Sequence, residues 1–252
     1  MPPLSLHTSL ARRIAERLRL DVLNEERGNL YLGATAPDIR VITRWERERT
    51  HFFDLDNFDA QDAVGEFFRT HPSLSDPKQV TPAACAFVAG YVSHLVLDAT
   101  WIDHIYRPYF GRNSDLGGGL RANVLDRALQ FSLDADTRDN AELMADVVRE
   151  VACCDLEIDL GFIDRETLGE WHRVISDFAQ TRPDWDRFKS RIVRHLGDSG
   201  AEVTEDFDEL TRDLPELVDE TLRFLSRERI EEWMNESLDA SVGAVREYMQ
   251  CA

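Results

Sequence analysis

The sequence predicts an all-helical protein, and two stretches carry that prediction. Apolar side chains recur at four-residue spacing near the start, which indicates an amphipathic helix over about residues 5–23. They are Leu6, Leu10, Ile14, Leu18 and Val22. Later, Thr81 is a favoured N-cap and Pro82 suits the first helical position, so an apolar helix begins there and is expected to reach Tyr106, before Pro108. No sustained alternation of apolar and polar residues predicts a strand.

The remaining elements follow in chain order. Small residues and Pro37 predict a tight turn or helix break at residues 33–38. Residues 40–57 are mixed in character, a short helix follows over Gln61–Arg69, and the glycines within 113–119 indicate a loop. From there we expect helices near 120–133, 137–154, 164–180, 183–197, 204–226 and 227–249. One apolar stripe on the fifth of them is formed by Leu210, Leu214, Leu217, Thr221 and Leu225.

Composition narrows the function classes. The 252 residues suffice for a sizeable core, and 48 acidic against 29 basic residues give a net charge of −19. Such a body repels nucleic-acid phosphates and anionic membranes, so we expect no nucleic-acid partner and no stable membrane association. Four cysteines, two of them adjacent at Cys153-Cys154, form no disulfide framework and no C-x-x-C zinc pattern. Reduced thiols, and an N-terminus without a signal-peptide pattern, lead us to expect a cytoplasmic protein.

The most apolar stretch, Ala83–Trp101, carries the first candidate site. It is nearly long enough to span a bilayer, but His94 and Asp98 lie inside it, so a buried helix is the better interpretation. At spacing i, i+4 the two side chains share one helix face and can hold one divalent metal. A buried His–Asp hydrogen bond that only orients the helix is the alternative for an isolated pair.

The pair is not isolated in this sequence. Asp38 follows the Gly/Pro turn and His51 lies thirteen residues further on. Alone, Asp38 is typical of a turn or helix cap and His51 of a partly exposed histidine. Together with His94 and Asp98 they supply two imidazoles and two carboxylates, a ligand set suited to zinc or a similar transition metal.

Several motifs now resemble bacterial zinc-dependent phospholipase C-like proteins. They are His7-Thr8, Leu32-Gly33-Ala34-Thr35-Ala36-Pro37-Asp38, His51-Phe52-Phe53-Asp54, Ala89-Gly90-Tyr91-Val92-Ser93-His94-Leu95-Val96-Leu97-Asp98 and His104. They span about residues 4–110. The resemblance implies a multi-helix phospholipase C-like core, which we place at residues 1–135. We expect additional C-terminal helices at 136–252 to pack on it as one structural unit.

The resemblance also implies zinc ligands and their number. Asp38, His51, His94 and Asp98 would form one complete site, Asp98 would bridge to a second ion shared with His7, and His104 would belong to a third. One ion is expected, and three is the upper limit. His104 lies about 15 Å along a continuous helix from His94, too far to share a metal with it.

Two departures from the family pattern leave the second and third sites degraded. The family's secreted enzymes begin at a metal-binding tryptophan, whereas this chain begins Met1-Pro2-Pro3. Their H-x-x-x-E motif is replaced by a stretch without histidine, in which Asp126 is a weak substitute for the carboxylate. Asp54 and Asp56 are each a candidate general base, an orienting partner of a histidine, or a solvated charge. His71, His172 and His195 are interpreted as surface or structural.

The leading hypothesis is metal-dependent hydrolysis of a small phosphoester, with Asp38 as both ligand and candidate general base, as the resemblance suggests. The second hypothesis is a non-catalytic helical binding module that retains a structural metal. Hydrolysis of another soluble substrate is a third. The sequence selects neither the substrate nor the oligomeric state.

Overall fold

The computed structural model describes residues 2–55, 57–190, 211 and 213–250, and every regular element in these ranges is helical. The all-α prediction is therefore confirmed. The α-helices are α1 Leu4–Leu18, α2 Asp21–Glu25, α3 Arg27–Thr35, α4 Arg40–Thr43, α5 Arg47–His51, α6 Ala63–Thr70, α7 Pro82–Trp101, α8 Leu120–Arg138, α9 Ala141–Val151, α10 Arg165–Gln180, α11 Leu214–Thr221 and α12 Arg227–Gln250. Short 3₁₀ turns cover Ala36–Ile39 and Pro72–Leu74, and a π-helical segment covers Ile102–Phe110. Residues 185–190 are also helical.

The first predicted helix is divided in the structure. α1 ends at Leu18 because Arg19 adopts a left-handed conformation with φ of 53°, and α2 begins at Asp21. Helix periodicity continued through Val22 in the sequence, but periodicity reports the buried face and not the break between two helices that share it. The prediction of one helix over 5–23 was wrong at its C-terminal end.

The second predicted helix begins as expected and ends later. Thr81 Oγ1 accepts a hydrogen bond from the amide of Ala84, and Pro82 is the first helical residue of α7. Pro108 does not stop the helical path, which widens into the π-helical segment and ends at Phe110. Proline has no amide proton to donate to the helical hydrogen bond that an α-helix would require. The wider π-helical turn accommodates this residue.

Helix α7 is the centre of the molecule, with α3 on one side and α12 on another. The backbones of α3 and α7 are in contact where the two helices cross. A Cβ added to Gly33 would lie only 1.9 Å from the Phe87 carbonyl oxygen. Across the same contact, a Cβ added to Gly90 would lie 2.1 Å from the Leu30 carbonyl oxygen. Glycine at both positions is what permits this close approach.

One helical run of the described chain, Pro82–Phe110, is long and apolar enough to cross a membrane, with a mean hydropathy of 1.4 in its most apolar window. Within the fold, 83% of that window is buried. Length and composition alone are weak evidence for a span, and a buried core helix gives the same signal.

The C-terminal helices pack against the elements that carry the predicted site. The Trp233 ring meets the Trp101 ring edge to face with centroids 4.9 Å apart, and the Ser237 hydroxyl lies 2.7 Å from that of Thr100. Ser5 of α1 donates to Asp134 of α8. Helix α8 also runs through residue 135, where we predicted the core to end. We propose that the predicted core, residues 1–135, and the C-terminal helices form one structural unit.

Candidate metal centre

Four elements bring five ionisable side chains to one place. His7 comes from α1, Asp38 from the 3₁₀ turn after α3, His51 from the last residue of α5, and His94 and Asp98 from α7. Their ligand atoms form two groups, each within 4.8 Å: His7 with His94 and Asp98, and Asp38 with His51 and His94. These groups share His94.

The atoms of this cluster are spaced for a metal and not for hydrogen bonds. His51 Nε2 lies 3.5 Å from Asp38 Oδ1 and 3.4 Å from Asp98 Oδ2, and His94 Nε2 lies 3.5 Å from Asp98 Oδ2. Hydrogen bonds between such atoms are usually 2.7–3.2 Å long. Ligands at about 2.0–2.2 Å from a tetrahedral zinc are separated by about 3.3–3.6 Å, which matches these distances.

Most of the ring nitrogens in the cluster, and one oxygen of Asp98, have no hydrogen bond. Among the described residues, His51 Nε2, His94 Nε2, Asp98 Oδ1 and both ring nitrogens of His7 are buried and have no hydrogen-bond partner. Buried polar atoms of this kind are costly, and the ligand atoms within each group lie close enough together to share a ligand. The residues present therefore fit a divalent metal.

Contacts behind the imidazoles orient their free nitrogens. His94 Nδ1 donates to the Ala34 carbonyl oxygen at 2.8 Å, so Nε2 faces the cluster. His51 Nδ1 lies 2.8 Å from Thr50 Oγ1, whose own proton is directed to the Arg47 carbonyl oxygen. The Tyr91 hydroxyl donates to the Thr50 carbonyl oxygen at 2.6 Å and so fastens α5 to α7.

Asp98 has a different partner on each oxygen. Oδ2 faces His51 and His94, whereas Oδ1 lies 3.6 Å from His7 Nε2. The His7 ring stacks on the His94 ring with centroids 3.7 Å apart. The free nitrogen of His94, Nε2, already faces the group that contains Asp38 and His51. A second ion beside Asp98 Oδ1 would therefore have only His7 as a further side-chain ligand from this cluster.

Burial and mutual charge set the protonation of the cluster. Burial and the neighbouring His94 lower the pKa of His7 to about 3, so its imidazole is neutral. Burial also lowers the pKa of His51, against the opposing effect of Asp38. For His94 burial is outweighed by the negative charge of Asp98, and its pKa is raised. Burial would raise the pKa of Asp98, but His94 and His51 hold it well below the usual range.

Asp38 is the most solvent-accessible member of the cluster. Its side chain is 26% exposed, compared with 1% for His51 and 4% for Asp98. Burial would raise the pKa of Asp38, yet the neighbouring His51 and the charge of His94 outweigh it and lower that pKa. The Asp38 carboxylate is therefore ionised at the open side of the cluster.

The other predicted residues lie elsewhere. His104 is on the surface of the π-helical segment, with Nδ1 3.1 Å from Glu236 Oε2, and the structure does not bring it to the cluster. Asp126 is buried, and its Oδ2 accepts a hydrogen bond from Gln130. Asp54 lines a cavity of about 510 Å³ beside α5, whose described lining includes none of the five clustered residues. Asp56 falls outside the described residues.

Of the remaining histidines, His71 stacks on Phe162 with centroids 4.4 Å apart and lines the same cavity. His172 Nε2 lies 2.8 Å from the Val151 carbonyl oxygen and links α10 to α9. His195 falls outside the described residues.

The sequence matches a known protein family. The profile described as zinc dependent phospholipase C matches residues 6–199, well over half of the chain. The chain belongs to this family. The match extends far beyond residue 110, where the recognisable motifs ended, and so includes helices that gave no resemblance in the sequence. No curated protein and no solved structure was found to match.

Membership in the zinc-dependent phospholipase C family agrees with the chemistry of the cluster. Zinc is the cofactor, because imidazole and carboxylate at tetrahedral spacing are the ligands it prefers.

Residues that support the cluster had weaker signals in the sequence. Arg47 donates to Asp98 Oδ2 at 3.3 Å from α5, one turn before His51. Its i, i+4 relation to His51 repeats the His94–Asp98 spacing, which is the signal that could have revealed it. Ala34 contributes only a backbone oxygen, and no pattern of side chains predicts that contact.

Proposed function

We propose that this chain hydrolyses phosphoester bonds with one zinc ion held by Asp38, His51, His94 and Asp98. The observation that supports it most is the set of 3.4–3.5 Å separations between imidazole nitrogens and carboxylate oxygens. Bound there, zinc supplies a Lewis acid for a phosphoryl oxygen and lowers the pKa of water near it. His94 and His51 contribute as neutral ligands, each oriented through its Nδ1.

The chain's own residues have distinct roles in this proposal. Asp98 supplies Oδ2 to the ion and keeps Oδ1 toward His7, where a second ion is possible. Asp38 is the ionised carboxylate nearest the solvent and the candidate general base for a water that approaches from that side. We assign no ion to His104, whose nearest carboxylate is the exposed Glu236.

A second candidate function is a binding module with a structural zinc. The observation that favours it is burial, because the side chains of His7 and His94 are fully inaccessible. A structural site has four protein ligands and no open position, whereas a catalytic site usually has three and an open one. The four protein ligands proposed here are therefore typical of a structural zinc site. A catalytic site would require Asp38 to leave the ion when substrate binds.

The experiment measures zinc per chain by elemental analysis and turnover of a soluble chromogenic phosphodiester on the same sample. The proposal expects about one zinc and turnover that a chelator abolishes and added zinc restores. Asp38→Asn should reduce turnover, and His172→Gln, which alters a histidine linking α9 and α10, should not. Stoichiometric zinc without turnover would favour the binding module.

A further inference from the structure

A cavity of about 510 Å³ lies beside α5, and its described lining includes none of the five clustered residues. Glu48 and Phe52 line the cavity, whereas Arg47 and His51 contact Asp98 in the zinc site. Each pair has the spacing i, i+4, so α5 and its C-cap present one face to the cavity and another to the ion. The volume is typical of small-molecule sites, which occupy about 300–1,000 Å³.

Aromatic rings form much of the wall of this cavity. The His71 imidazole stacks on the Phe162 ring with centroids 4.4 Å apart, and Phe52 meets His71 edge to face at 5.8 Å. These three side chains are half-buried, so part of each ring is open to a ligand. Burial and the nearby Arg49 lower the pKa of His71, and its imidazole is neutral at neutral pH. Uncharged rings at a right angle offer both a face and an edge to a flat aromatic molecule.

Phe52 occupies a backbone conformation that bulky residues rarely adopt. Its φ is 53°, in the left-handed region, and its amide donates to the Glu48 carbonyl oxygen at 3.2 Å. Glycine forms the same helix end without strain and is the usual residue there. The backbone therefore does not explain a phenylalanine at this position. Its ring does, because it packs edge to face on Phe67 and lines the cavity.

Glu48 supplies a hydrogen-bond acceptor to the cavity. Its carboxylate is exposed and, within the described part of the chain, makes no hydrogen bond or ion pair. Two other charged groups in the lining have partners, since Glu66 pairs with Arg69 at 2.7 Å and Arg49 covers the Trp45 ring. An N–H group on an aromatic ligand can donate to the Glu48 carboxylate, and such charge-assisted bonds are the strong ones.

We propose that this cavity binds a flat heteroaromatic molecule with an N–H donor, and that α5 couples its occupancy to zinc binding. The ring packs against Phe162 and His71, and its N–H donates to Glu48. Contact with Phe52 holds the end of α5, whose last residue is the proposed zinc ligand His51. Each ligand then favours the same position of α5 and raises the affinity of the other by the same factor. The coupling depends on the proposed zinc site but not on hydrolysis.

Indole is the probe, and calorimetry measures its binding to the zinc-free and the zinc-loaded protein. Phe162→Leu should weaken indole binding about 5-fold or more, because leucine fills the space without offering a ring face. Phe224→Leu is the matched control and should bind indole as the wild type does, because the Phe224 ring packs on Phe110 and does not line the cavity. Zinc should raise the affinity of the wild type for indole about 5-fold or more.

A second probe, 1-methylindole, tests Glu48 without a change in the core. It keeps the ring but has no N–H, so it should bind to the wild type about 5-fold more weakly than indole does. Glu48→Ala, at an exposed side chain, should remove this difference between the two probes.

Two kinds of outcome would overturn the inference. Equal indole binding by the wild type and Phe162→Leu, or a preference for indole that persists in Glu48→Ala, would place the ligand elsewhere. Unchanged indole affinity on addition of zinc would exclude the coupling through α5. Failure of the proposed function looks different. In that case indole binding still depends on Phe162, Glu48 and zinc, but no phosphodiester is hydrolysed.

Discussion

Asp98 concentrates the chemistry of the cluster in one residue. Its Oδ2 lies within 3.5 Å of His51 and His94 and accepts from Arg47, while Oδ1 faces His7. A carboxylate buried to this degree needs its cationic or metal partners, because an unpaired buried charge costs several kcal/mol. Changes at its neighbours should therefore affect stability as well as zinc binding.

We predict that His94→Ala lowers both zinc content and stability. The change removes one ligand and leaves Asp98 with Arg47 at 3.3 Å and His51 at 3.4 Å. Because these two neighbours remain, we expect a loss at the lower end of the range for a broken buried pair, about 3 kcal/mol. Chemical denaturation of metal-free samples measures it. His104→Ala, at an exposed histidine, should stay within about 0.5 kcal/mol of wild type.

Zinc binding should release a proton at mildly acidic pH. In the metal-free protein the pKa of His94 is raised, so its charged form adds stability below the unfolded pKa of 6.5, and this contribution is lost as pH rises through the folded pKa. Zinc requires the neutral imidazole and must displace that proton. His7, with a pKa of about 3, has none to give.

Calorimetry in two buffers of different ionisation enthalpy counts the released protons. We expect about one proton at pH 6 and a zinc affinity that increases as pH rises toward and past the His94 pKa. A proton count near zero at pH 6, with zinc bound, would contradict the assignment of the charge to His94.

At the scale of elements, the site depends on how closely α3 and α7 pack. The Ala34 carbonyl reaches His94 Nδ1 at 2.8 Å only because Gly33 and Gly90 let the two backbones touch. Residue type and spacing were enough to predict the side chains of this site from the sequence. The contact between α3 and α7 could not be predicted, because a backbone carbonyl and two glycines among other small residues form no distinctive pattern.

We predict that Gly90→Ala destabilises the protein and weakens zinc binding together. The new Cβ would lie 2.1 Å from the Leu30 carbonyl oxygen, so α3 must move away and carry the Ala34 oxygen from His94. Overpacking of this kind costs about 1–3 kcal/mol. Thermal melts with and without zinc measure both effects.

The matched control is Gly169→Ala on α10, where no atom lies within 4 Å of an added Cβ. That change should stabilise the helix by up to about 1 kcal/mol, because alanine is the better helix former. If both variants lose zinc to the same extent, the close contact of α3 and α7 does not control the site.

The limits of sequence reasoning also differ between elements. Thr81-Pro82 predicted the start of α7 correctly because capping is a local interaction. The predicted end of that helix was wrong, because the π-helical turn that accommodates Pro108 depends on the packing around that turn. The C-terminal helices gave no family motif, although the family match reaches residue 199. Their core positions are apolar, and many sequences satisfy such positions equally well.

At the scale of the whole molecule, net charge bears on which substrates reach the site. The chain carries −19 charges, and a field of that sign repels anionic surfaces and anionic solutes alike. A small phosphodiester meets this field as only one charge. A membrane rich in anionic lipid meets it over a large area, and the repulsion is screened by salt.

We therefore predict that soluble phosphodiesters are turned over more efficiently than lipid in vesicles, and that anionic vesicles are the poorest substrate. The opposing argument is that Leu55 and Phe58 are exposed on the loop after α5 and offer apolar contacts that a zwitterionic surface would not repel. Release of phosphorylated headgroup from pure phosphatidylcholine vesicles, and from vesicles with added anionic lipid, separates the two effects. At low salt the anionic vesicles should be hydrolysed more slowly than the zwitterionic ones, and the difference should shrink as salt rises.

Leu55→Ser together with Phe58→Ser should leave soluble turnover unchanged. Hydrolysis of phosphatidylcholine vesicles as efficient as that of the soluble diester, and lost in this double variant, would show that apolar docking outweighs the charge and that the physiological substrate is a lipid.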